Sequence, residues 1–106
     1  MHDALDSPEY AAVLHLLTAP AVWPRAAKHL VDAEFDWTGL LDETRTMSGG
    51  ESLLVRIAYE LWHARKDVGL WEIPRRLDAH HFARVLEALS ICREVPAGVS
   101  PLRLAV

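Results

Sequence analysis

At 106 residues the chain has the length of one domain, and a balance of 51 % hydrophobic to 25 % charged residues excludes a disordered or low-complexity segment. A net charge of −4 excludes a strongly basic, polyanion-coating protein, and a single cysteine, Cys92, excludes an internal disulfide. The charge is uneven: residues 1–50 carry eight acids against three bases, and residues 51–106 carry seven acids against eight bases.

The opening "MHDALDSPEY" is acidic and has no apolar run, so it does not read as a secretory signal. No stretch has the length of apolar residues that a membrane span needs, and no membrane association is expected. Together with the lone thiol this gives a cytoplasmic expectation. Nine arginines to two lysines, with no asparagine or glutamine, suggest a GC-rich bacterial coding sequence and carry no function.

Ser7-Pro8-Glu9 reads as N-cap, first-turn proline and first-turn acid, opening a helix over 8–18 with Val13, Leu14 and Leu17 on its apolar side. "TAPAVWP" breaks it. Pro24 opens a second helix to about Ala33, and Asp36 caps a short one from Trp37 to Glu43. Leu54, Ile57, Ala58, Leu61 and Trp62 recur at helical spacing and predict a helix over 49–65. "LWEIPRRL" is a short helix near Pro74 or a bent extended piece. Asp78 caps a last helix over 79–93, whose stripe is Phe82, Val85, Leu86, Leu89 and Cys92. Residues 95–106, with two prolines and a glycine, read as an irregular or extended tail. The expected fold is an all-α bundle of five or six short helices in a single domain.

Met47-Ser48-Gly49-Gly50-Glu51, followed by an amphipathic helix, resembles the signature of the ATP-binding-cassette ATPases. In that family the resemblance implies phosphate held on the backbone of a helix N-terminus, which here would fall to Ser48, Gly49 and Gly50. The chain has no G-x-x-x-x-G-K-[ST] loop to hold the other phosphates and no apolar strand ending in Asp-Glu. Ser48-x-x-Glu51 is also a capping box, and this is the reading adopted.

"GLWEIPRRLDAHHFARVLEAL" resembles a DNA-binding helix-turn-helix, with Leu70, Glu72, Ile73 and Leu77 in its first helix and Val85, Leu86 and Leu89 in its second. The resemblance implies phosphate contacts from Arg75, Arg76 and Arg84, and base contacts from His80 and His81. Pro74 and Asp78 depart from the pattern.

No paired carboxylates, nucleophile elbow or His–His pair at i, i+4 is present; His80 and His81 are adjacent and diverge on a helix. The expectation is therefore a non-catalytic chain without cofactor or metal. Tyr59, Trp62 and Trp71 lie close together in sequence, with Trp23 and Trp37 in the other half; they read first as core, and otherwise as anchors for a partner. The leading function is a protein–protein interaction or regulatory module, its partner another protein or a second copy of the chain. The alternative is a helix-turn-helix regulator that uses residues 70–93.

Overall fold

The computed structural model describes residues 7–94. The first helix, α1 (Pro8–Leu17), starts where its cap chemistry places it. The Ser7 hydroxyl accepts from the Tyr10 N–H at 3.0 Å, and Pro8 stands where no N–H is needed. Val13, Leu16 and Leu17 are fully buried, and α1 packs on both long helices that follow, which makes it the centre of the core. Pro20 ends the run, and Ala19 and Val22 fold in behind it.

The second predicted helix is much shorter than expected. α2 (Trp23–Ala26) continues as a 3₁₀ turn only to His29, and the chain then forms a two-stranded antiparallel hairpin, β1 (Leu30–Val31) and β2 (Glu34–Phe35). The purely all-α expectation is thereby corrected. Asp32 and Ala33 both have positive φ, 51° and 67°, the backbone of a two-residue hairpin turn. Such turns usually advertise themselves by Asn-Gly or Asp-Gly; Asp-Ala does not. The Asp36 N–H donates to the His29 carbonyl at 2.8 Å and locks the base of the hairpin.

Asp36 then caps α3 (Trp37–Glu43), accepting from the Gly39 N–H at 3.2 Å. A 3₁₀ turn at Thr44–Thr46 leads into α4 (Gly49–His63). The capping box is complete: the Ser48 hydroxyl accepts from the Glu51 N–H, and the Glu51 carboxylate accepts from the Ser48 N–H, both at 3.2 Å. Leu53, Leu54, Val55, Ile57 and Ala58 are all buried, so the first half of α4 is enclosed on more sides than one apolar stripe implies.

α4 stops at His63, two residues short of the expected end. The stop is Ala64, in the left-handed conformation at φ 52°. A glycine there takes this conformation without the Cβ penalty, which is about 1–2 kcal/mol for an L-residue. Ala64→Gly is expected to stabilise the fold by about 0.5–1 kcal/mol and raise its melting temperature by a few degrees. An unchanged or lowered melting temperature would show that Ala64 carries no such strain.

α5 (Glu72–Arg76) is a five-residue helix with Pro74 in its first turn, and α6 (Ala79–Arg93) follows after two residues, capped by the Asp78 carboxylate on the His81 N–H at 2.8 Å. Among the described residues the result is one mostly helical body, six α-helices and one small hairpin. The predicted tail, 95–106, lies outside the described residues.

Candidate functional site

The predicted stripe of α6 does not face the core as a whole. Only Val85, joined by Ala88, is buried; Phe82, Leu86 and Cys92 are half-buried and Leu89 is 43 % exposed. The stripe is apolar throughout, but only part of it is covered, and its other flank looks out beside α5. There Phe82, Leu86 and Leu89 of α6 line an open groove of about 680 Å³ together with Leu70, Trp71, Ile73, Pro74 and Val85. Every lining residue is apolar.

The segment before α5 holds this face in shape. The Glu60 carboxylate accepts from the N–H groups of Asp67 and Val68, at 2.6 and 2.8 Å. Arg56 donates to the Asp67 carboxylate and carbonyl at 3.2 and 3.1 Å, and lies 3.7 Å from Glu72. Glu72 in turn accepts from the Gly69 N–H at 2.9 Å. Val68 tucks inward beneath these bonds while Leu70 and Trp71, the next side chains on, are thrown outward, 81 % and 60 % exposed.

Trp71 is nevertheless fixed. The Arg75 guanidinium sits 5.6 Å from its ring centroid, a cation–π contact. Its indole also lies over Gly69, where a Cβ would come within 2.7 Å of Nε1. The core reading of the tryptophans therefore fails for Trp71 and holds in part for Trp23, Trp37 and Trp62, which are half-buried against the core.

The residues implied by the helix-turn-helix resemblance are gathered around α5 and the start of α6, and most have work inside the fold. Arg84 donates to the His15 carbonyl at 2.7 Å, satisfying the end of α1. Arg76 lies 3.5 Å from Glu72, and Arg75 is on Trp71. His81 is 3.6 Å from Asp78, whose carboxyl is held below its ordinary range first by the His81 backbone N–H. His80 is exposed. Of the stretch 70–77 that the resemblance assigns to the first helix, only Glu72–Arg76 is helical, and α6 packs mainly on α1.

Gly50 also has a packing role. A Cβ on Gly50 would stand 3.2 Å from the Arg76 carbonyl, so the glycine lets the end of α5 approach the start of α4. That carbonyl lies against the backbone on which the phosphate reading depends.

A charged cluster that the sequence analysis did not single out joins α2 to α3. Glu43, its side chain 15 % exposed, accepts from Arg25 Nη2 at 2.8 Å and pairs with Lys28 and His29, both at 2.9 Å. His29, Lys28 and Arg25, in that order, lower its pKa from 4.5 to about 2. Arg25 also donates to the carbonyls of Glu43 and Thr46, each at 3.1 Å, and to the Thr46 hydroxyl. With every cation directed at one carboxylate, the cluster is a clasp between elements rather than a reactive centre. Gly39 belongs to it, since a Cβ there would strike the His29 ring at 2.7 Å.

Cys92 is half-buried and burial raises its thiol pKa, which keeps it protonated and a poor nucleophile. Among the described residues, no three His, Cys, Asp or Glu side chains are placed to hold a metal ion, and no helix is long and apolar enough to cross a membrane. Comparison of the chain with protein-family models, with curated proteins and with solved structures gives no match.

Proposed function

We propose that this protein works by binding protein through the α5–α6 face, and that the occupant of that face is a second copy of the chain. One observation carries the reading: two protruding apolar side chains, Leu70 and Trp71, stand at the lip of an apolar groove. A surface that offers a knob beside a hole is complementary to itself under a two-fold rotation, so that each copy seats its knob in the other's groove. Trp71 is held by Arg75 and Gly69 before any partner arrives, which lowers the entropy lost on docking. Tryptophan is also the residue type most enriched where binding energy concentrates.

The expected dimer is of modest strength, with Kd on the order of micromolar. Leu70→Asp places a charge at the centre of the contact and, at a site so exposed, leaves the monomer's stability within about 0.5 kcal/mol. Sedimentation velocity is expected to show wild type passing from monomer to dimer with concentration. Leu70→Asp should weaken the dimer by about 30-fold or more, the size of a hot-spot loss. A chain that stays monomeric at every concentration, or a variant that dimerises as well as wild type, would refute the proposal.

The DNA-binding alternative would use Arg75, Arg76, His80, His81 and Arg84 on the neighbouring surface. It requires Arg76 and Arg84 to give up their contacts to Glu72 and His15. For that reason it ranks second.

A further inference from the structure

Away from the α5–α6 groove, with no lining residue in common, lies a smaller hollow, about 170 Å³, between α1, the hairpin, α3 and α4. Four aromatic rings line it, from four different elements. Tyr10 of α1 and Trp62 of α4 stand edge to face, 5.9 Å apart at 74°. Phe35 of β2 and Trp37 of α3 form a second pair, 5.6 Å apart at 48°. Val13 also lines it, and Glu34 is the one charged residue among those that line it.

Three features distinguish this hollow from a gap in the core. Glu34 is exposed, so solvent reaches the rim, and no cation is paired with its carboxylate among the described residues. No lysine, arginine or histidine lines the walls. The Trp37 ring is braced from behind by Tyr59 at 5.8 Å and His63 at 5.3 Å, so the cage wall exists before a guest enters.

We infer that this hollow is an aromatic cage for a methylated ammonium group. The negative faces of aromatic rings attract a cation, and the methyl groups of a quaternary ammonium make it cheap to desolvate. A neutral apolar guest would gain nothing from Glu34, and a bare ammonium would lose too much hydration. Size agrees: a cavity near 150 Å³ holds a benzene-sized guest, and a trimethylammonium head is comparable. The hollow is too small for a whole drug-sized ligand, so the head group enters and the remainder of the molecule lies outside.

The hairpin turn serves this arrangement. Asp32 and Ala33, both with positive φ, reverse the chain within two residues and set Glu34 and Phe35 at the mouth. Left-handed non-glycine residues are costly and persist where the surroundings enforce them.

The test titrates the full chain with choline and with its neutral tert-butyl isostere, following the indole N–H signals of Trp37 and Trp62 by NMR. The cage predicts choline binding at least about tenfold tighter than the isostere, the size of a desolvated cation–π contact. Glu34→Gln, an exposed substitution that spares the fold, is expected to weaken choline severalfold and leave the isostere unchanged. A peptide carrying trimethyllysine forms a further arm. Tighter binding of the peptide assigns the head group to a modified protein, and tighter binding of choline assigns it to a small molecule. Failure of both cations to shift either indole signal, equal binding of choline and the isostere, or an unaltered choline affinity in Glu34→Gln would overturn the inference.

Discussion

Replacing Leu16 with alanine is expected to destabilise the protein by about 2–5 kcal/mol, a large share of the roughly 5–10 kcal/mol that a domain of this size possesses. Leu16 is fully buried in α1, the helix that packs on both α4 and α6. The substitution removes apolar contacts and leaves a cavity between helices that cannot close around it without shifting two neighbours. Urea denaturation followed by far-ultraviolet circular dichroism measures the loss. A cost below about 1 kcal/mol would mean that the site collapses readily and that α1 is not the centre of the core.

The second large effect is on acid stability. The Glu43 carboxyl is lowered to about 2 in the folded protein, from 4.5, by His29, Lys28 and Arg25. Its folded pKa is depressed, so its contribution is fully present above about 4.5 and is lost as the pH falls toward 2. Wild type should therefore lose stability steeply across that window. Glu43→Gln removes the charge at every pH and leaves Arg25 and Lys28 without their counter-charge, so it should melt lower near neutrality and show a flatter acid limb. Thermal melts between pH 2 and 7 compare the two proteins. Parallel acid limbs would show that the clasp contributes nothing to the acid dependence.

The parts of this fold that were legible in the sequence are those whose chemistry is local. Ser7, Asp36, Ser48 and Asp78 each cap the helix predicted for them, because a cap needs only a short polar side chain and the N–H groups that follow it. The hairpin was not legible. Its turn residues, Asp32 and Ala33, lack the glycine that signals φ > 0, and strands of two residues cannot show alternation. Glu43 was equally hidden, since its partners in α2 and the 3₁₀ turn after it lie 14 to 18 residues earlier, on the other side of the hairpin.

The candidate surfaces illustrate the same limit from the other side. Periodicity identified Phe82, Val85, Leu86 and Leu89 as one apolar face, but it says which side chains avoid water, not what covers them. α1 covers Val85 and leaves Leu89 exposed. Trp71 is close in sequence to Tyr59 and Trp62 but lies beyond the end of α4, after a turn in which Glu60 holds the Asp67 and Val68 N–H groups; there Val68 is buried and Trp71 is exposed. The aromatic cage draws Tyr10, Phe35, Trp37 and Trp62 from positions up to 52 apart, beyond the reach of any spacing rule.

Self-association through α5 and α6 is the central claim, and a dilution series read by heteronuclear NMR addresses it residue by residue. Concentration-dependent amide shifts confined to 70–74 and 82–89, with the rest of the spectrum constant, are the predicted result. Shifts that are absent over the accessible range, or that fall on another surface, would contradict it.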